Sequence, residues 1–304
     1  MPASQHAAVL PPNGVDLRLL PADLPGGVTK LSLYVTPFNG REELAKQLQP
    51  LAAHLTQVLG LPIDVSVAAS YGSLVDDMVA KRVDIALFSP LSYVLAREKD
   101  PGIHLLARTL TLGAIDYASY IVVRSDDKAE TLRDLKGRTI ALVDEMSTAG
   151  YLFPLAALRQ AGMAPGLDIH TKFLGSHIKA LHAVMAGQVD AAAISSGVLT
   201  LSRETWAGVP DLASVRILHH AGRIPYDALC ARADLPRSGA QKLAWAFQGL
   251  NTSTRVGRAV LSHTEGMTGW IAAQDPDYDG IRRVLKQIRG QNAPHDDRLG
   301  AHDQ

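Results

Sequence analysis

Between Leu31 and Ile194 short apolar runs alternate with stretches of helical spacing, and that rhythm leaves the chain few architectures. Leu31 to Val35 reads as a strand, stopped by Pro37, Asn39 and Gly40. A helix is expected from Arg41 to Leu59, because Leu44, Leu48, Leu51, Leu55 and Leu59 recur three and four residues apart. Gly60 and Pro62 end it. Ile63–Ala68, Val83–Phe88 and the helical stretches Ser73–Lys81 and Leu91–Glu98 continue the alternation. Strands regularly separated by helices call for an α/β fold with a largely parallel sheet.

A second unit of the same kind follows. Leu105–Leu112 and Ala118–Val123 are expected strands, as are Thr139–Val143, Ile169–Leu174 and Ala191–Ile194. Helices are expected within Thr148–Ala161 and Ile178–Ala186. Val215–His219 is a further strand, and the rest reads as mostly helical. Those last helices have no sheet of their own to cover, so they are expected to return to the first unit. The expected division is an irregular arm (1–29), a discontinuous first lobe (30–118 and 221–290), a second lobe (119–220) and a disordered tail (291–304). Ile121–Val123 and Val215–Leu218 would be the crossovers, and two lobes joined by two strands can hinge shut on a ligand.

Charge narrows the partners. Lys plus Arg and Asp plus Glu number 30 each, with no basic stripe, so nucleic acid is not expected as a partner. Local dipoles can still hold an anion in a neutral protein. The single cysteine, Cys230, sits in an apolar run and reads as a buried, inert thiol. No Cys/His spacing suggests a metal and no cofactor motif is present. His219 and His220 read as structural, since neighbours on a strand face opposite ways. No run spans a membrane, and the first thirty residues lack a signal-peptide pattern. If Met1 is the native start, the cytoplasm is expected.

The segment with most chemical content is Asp144–Glu145–Met146–Ser147–Thr148–Ala149–Gly150–Tyr151. It leaves a strand and enters a helix. Ser147 and Thr148 suit a helix N-cap and bring two hydroxyl donors, and Gly150 would let the backbone approach a ligand. Free N–H groups and the positive helix end favour an anion there. The same residues also make an ordinary cap. Pro154 would kink a helix from within, so the helix is expected to begin in earnest at Pro154, after a loop.

Several stretches, in order, resemble the phosphonate-binding periplasmic protein family. They are Ser70–Leu74, Val83–Tyr93, Ile115–Ser125, Leu132–Arg138, Ser147–Pro154, Gly175–His177 and Ala186–Ala193. The resemblance covers Leu31 to Ala273 and implies a two-lobed type II periplasmic-binding-protein fold. It also implies a solute-binding protein that closes around a small oxyanion for an ABC transporter. The ligand would be a phosphonate, phosphite or phosphate ester, arsenite being bound by some relatives. It places the protein in the periplasm, and the partner would be a membrane permease, or a sensor kinase if the cleft serves signalling.

Carried over by position, Tyr71 and Tyr93 would line the first-lobe wall, although either could be a core aromatic. Ser147 and Thr148 would donate to the anion, with backbone N–H groups near Ala149 and Gly150. His177 would add a donor; as imidazolium it would add charge, making affinity fall as pH rises. Three departures stand out. Ala149 removes a family hydroxyl, and Ser89 replaces a glycine before Pro90. Ser195 and Ser196 stand where an acid or amide often recognises an aminoalkyl group. Ser195 therefore joins the candidate set, and a ligand without an amine is favoured.

A biosynthetic enzyme on this fold is the rival in another class. Against it, there are no paired carboxylates and no nucleophile elbow, and Ser147 with His177 lacks an orienting acid. No heptad pattern points to an oligomer, so a monomer is expected.

Overall fold

A computed structural model describes residues 28–37, 41–205, 212–262, 264 and 266–290. The expected tail, and the expected arm apart from residues 28 and 29, lie outside the described residues. The chain opens with β1 (Leu31–Val35), α1 (Arg41–Gln47), α2 (Gln49–Leu59), β2 (Ile63–Val67), α3 (Tyr71–Val79), β3 (Ile85–Phe88) and α4 (Pro90–Lys99). The expected single helix over Arg41–Leu59 is thus two. Pro50 cannot donate to the turn before it, so the helix breaks at Leu48 and restarts with Pro50 in its first turn. All five of its spaced leucines are still buried.

Next come β4 (His104–Thr111), β5 (Asp116–Arg124) and β6 (Thr139–Leu142). A π-helical turn (Thr148–Leu152) runs directly into α5 (Phe153–Gln160), followed by β7 (His170–Phe173), α6 (His177–Met185), β8 (Ala191–Ser195) and α7 (Ser196–Thr205). The chain closes with β9 (Val215–Pro225), β10 (Ala228–Ala231), α8 (Arg237–Gln248), α9 (Arg255–Leu261), β11 (Met267–Ile271) and α10 (Asp279–Gly290).

Two sheets result, ordered β11-β4-β10-β3-β1-β2 and β7-β6-β8-β5-β9. Each is mixed rather than largely parallel. The strands β2, β1 and β3 run parallel, as do β7, β6 and β8. The strands that carry the chain between sheets, or return from the other lobe, pair antiparallel. The long β5–β9 ribbon joins the lobes: it belongs to the second sheet, and its ends lead into β4 and β10 of the first. Where the remainder read as helical, β11 forms an edge strand against β4. Its sequence hides this, because Gly269 at φ +150° breaks the alternation and the register shifts beside it.

The C-terminal helices divide their packing. Residues of α8 and α9 join the first-lobe core with α2, among them Leu243, Phe247 and Leu261. By contrast, α10 lies across both lobes. Ile281 and Ile288 share a core with Val94 of α4 and with Leu152, Phe153 and Ala156 of the π turn and α5. Arg159 donates to the Ile288 carbonyl at 2.9 Å, and Arg289 forms a bidentate pair with Glu98 at 3.0 Å. No described helix is long and apolar enough to cross a membrane.

Candidate functional site

In open α/β sheets the C-terminal strand ends are where ligands bind, because loops and helix N-termini converge there. Both parallel units here turn those ends toward one cavity of ≈ 120 Å³ between the lobes. That is below the range typical of sites for drug-sized ligands. Five helices begin at its wall. Tyr71 opens α3, Ser89 caps α4, Ser147 caps the π turn, His177 opens α6, and Ser195 precedes α7. The positive ends of their dipoles lie around a cavity with neither Lys nor Arg among its lining residues.

The second-lobe wall carries several hydrogen-bond donors. Ser147 and Thr148 are 1% exposed. Ser147 Oγ accepts the Gly150 N–H at 3.0 Å, and Thr148 Oγ1 accepts the Leu91 N–H from the opposite lobe at 2.8 Å. A hydroxyl whose oxygen already accepts a hydrogen bond still has its own proton to give. Ser89 adds another contact between lobes, donating to the Met146 carbonyl at 3.1 Å. Tyr71 lies beside the Ser147 side chain, and burial keeps its phenol well above its ordinary pKa.

His177 is buried, and burial lowers its pKa to about 4. Burial thus favours the neutral ring over the imidazolium. The Ser195 N–H donates to His177 Nδ1 at 3.2 Å. A backbone N–H can only donate, so Nδ1 is unprotonated and Nε2 carries the ring proton. Ser195 thus lines the cavity and also sets the tautomer of its neighbour.

Three expectations change. Tyr93 is not a wall residue: it is fully buried on α4, its ring tilted against that of Tyr278 with centroids 4.6 Å apart, and its hydroxyl donates to Asp275 Oδ1 at 2.6 Å. It anchors the segment leading into α10. Ala149 and Gly150 are not among the residues lining the cavity. The Ala149 side chain joins the core that α4 and α10 share, and the Gly150 N–H is engaged by Ser147. Gly150 answers a protein contact rather than a ligand, since an added Cβ would stand 2.3 Å from Val143 Cγ2. The expected loop before Pro154 is the π turn, closed by Leu152 N–H to the Ser147 carbonyl and Phe153 N–H to the Thr148 carbonyl.

The opposite wall holds what sequence reasoning missed: Tyr117, Thr109, Tyr226 and Asp227. Tyr117 and Tyr226 pair at 5.0 Å where the ribbon meets the first sheet. Asp227 lines the cavity, and burial raises its carboxyl to about 7. A lone acid between the end of a crossover strand and the apolar Ala228–Ala231 run was the available signal. Cys230 is fully buried on β10, where burial raises its thiol well above the ordinary value, and His219 and His220 stand on β9 outside the lining. Among the described residues no cluster of His, Cys, Asp or Glu could hold a metal.

Comparison with known proteins gives three kinds of match. Residues 33–278 match the model of a family described as the periplasmic substrate-binding protein of the phosphonate ABC transporter. The chain is 27% identical over 273 residues to the phosphate-import protein PhnD of Mycolicibacterium smegmatis, with 84% of each chain covered. In fold it is similar to a binding protein component of an ABC phosphonate transporter from Pseudomonas aeruginosa, at TM-score 0.78 and 22% identity, covering 89% of this chain and 90% of that one. It is similar also to PhnD1 of Prochlorococcus marinus, solved in complex with methylphosphonate, at TM-score 0.74 and 21% identity, covering 86% and 98%.

Proposed function

The chain belongs to the family of periplasmic substrate-binding proteins of phosphonate ABC transporters, and from that membership we propose that its cavity captures a small tetrahedral oxyanion of the phosphonate, phosphite or phosphate class for delivery to a permease. One observation carries this reading. Ser147 and Thr148 sit at the first turn of a helix with their oxygens already accepting backbone N–H groups, so both hydroxyl protons are available to an anion. The Nε2–H of His177 adds a third neutral donor. The small volume supports a compact ligand.

The same geometry supports binding over hydrolysis. His177 Nδ1 accepts a backbone N–H, so no carboxylate orients the ring as a base, and Ser147 Oγ is occupied as a helix cap. Calorimetry against methylphosphonate, 2-aminoethylphosphonate, phosphite, phosphate, sulfate and arsenite tests the proposal. Saturable binding of a phosphorus oxyanion, weakened by Ser147→Ala and by Thr148→Ala, is expected. Folded, ligand-free protein that binds none of them would overturn it.

Asp227 favours a second, finer reading. The amine-free ligand expected from Ser195 and Ser196 assumed a cavity without a carboxylate, yet Asp227 supplies one from the other wall. Ionised, it would pair with a ligand ammonium; protonated, it would donate to an oxyanion. The two cases differ in sign. Affinity for an amine-bearing phosphonate rises as pH passes about 7, whereas Asp227 makes affinity for a plain oxyanion fall there.

A further inference from the structure

The π turn that holds Ser147 and Thr148 has a missing hydrogen bond, and its replacement comes from the hinge ribbon. In this turn each carbonyl accepts from the residue five positions on: Leu152 N–H to Ser147, and Phe153 N–H to Thr148. The next carbonyl, Ala149, would take its bond from residue 154. That residue is proline, which has no N–H. Ala149 is 1% exposed, so water does not replace the donor. Ser119 does: its hydroxyl, 0% exposed on β5, donates to the Ala149 carbonyl at 2.8 Å.

The location gives this bond its meaning. Ser119 pairs across the sheet with Ser195, whose N–H fixes His177. Its β9 partner is Gly222, beside a register shift, and an added Cβ at Gly222 would stand 2.5 Å from the Phe153 ring. The ribbon is therefore shaped to receive the π turn at this point. We infer that Ser119 is a positioning residue for the oxyanion site, holding the turn by the one carbonyl Pro154 leaves open so that the Ser147 and Thr148 hydroxyls face the cavity. The inference rests on the binding reading above and adds a residue that touches no ligand.

A double-mutant cycle tests it. Pro154→Ala returns an N–H to position 154 and so offers the Ala149 carbonyl a second donor. Ser119→Ala alone is expected to weaken methylphosphonate binding about tenfold by calorimetry, as loss of a buried hydrogen bond at the site implies. Ser119→Ala combined with Pro154→Ala is expected to bind within about threefold of Pro154→Ala alone, and Ser119→Thr to retain binding. Denaturant unfolding without ligand, run on the same four corners, should show the same non-additivity. A Ser119→Ala protein that is less stable yet binds as wild type overturns the positioning role, as do additive effects at 119 and 154. Wild-type protein that binds no oxyanion removes the oxyanion reading and this role with it. In that case non-additive unfolding still registers the shared carbonyl, so the two failures read differently.

Discussion

The two walls of the cavity are built on different principles. The second-lobe wall is a set of short neutral donors at helix starts: Ser147, Thr148, His177 and Ser195. The opposite wall, from the first lobe and the ribbon ends, adds Tyr71, Tyr117, Tyr226 and the acid Asp227 to the hydroxyls of Thr36, Ser89 and Thr109 and the apolar Leu87 and Met267. One side suits concentrated negative charge in a fixed geometry, the other an apolar or cationic remainder. A ligand with a phosphorus head and a variable tail presents those two demands. The difference suggests that head recognition and tail selection can be altered separately.

The largest effect should come from the donor wall. Thr148→Ala removes both the proposed ligand donor and the acceptor of the Leu91 N–H, so affinity for the best oxyanion should fall on the order of a hundredfold in calorimetry. Ser147→Ala should cost about tenfold. If Asp227→Asn weakened a plain oxyanion as much as Thr148→Ala does, the division between walls would be broken.

Asp227→Asn should act through pH and tail. Its folded pKa is raised to about 7, above the unfolded value, so the native state is penalised as pH rises through that range. Thermal scans at pH 5 and pH 8 should show the wild type losing stability relative to Asp227→Asn at the higher pH. If the natural ligand bears an amine, the variant should also bind it at least tenfold less tightly at pH 8.

His177 sharpens the picture from the donor side. Its folded pKa of about 4 lies below the unfolded value, so stability falls as pH drops below about 6.5 and the effect levels off beneath 4. An NMR titration should find its ring neutral down to about pH 5. A midpoint near 6.5 would restore a charged donor and undo the description of that wall as neutral.

The smallest effect on affinity should be at Tyr93. Tyr93→Phe loses the hydrogen bond to Asp275 and should destabilise the fold by about 1 kcal/mol in denaturant unfolding, with affinity within about threefold of wild type. A large affinity loss would mean that the wall extends to Tyr93.

What was legible follows the same division. The donor wall lies in contiguous stretches, each a strand end followed by a helix start; capping chemistry pointed to Ser147 and Thr148, while His177 and Ser195 came from the family resemblance. Tyr71 came from the family resemblance alone; in the structure it opens α3 directly after its cap. Tyr93 looked equivalent, but it lies a turn inside α4, where only the angular phase of the helix decides which way a side chain points. Asp227 was missed because it sits on an irregular connection whose position depends on two sheets meeting. The edge strand β11 was hidden by Gly269, and the π turn by Pro154, whose missing donor is supplied by a residue 35 positions earlier in the chain.

The Leu91–Thr148 hydrogen bond has a consequence for signalling occupancy. One oxygen accepts from the first lobe while, on the proposed reading, its proton goes to the cargo. Hydrogen bonds in series polarise one another, so donation to an anion makes that oxygen a better acceptor and tightens its grip on α4. A loaded carrier is then held shut more firmly than an empty one, and by the same atom that reads the load. A permease that senses only the spacing of the two lobes could tell full from empty without touching the ligand.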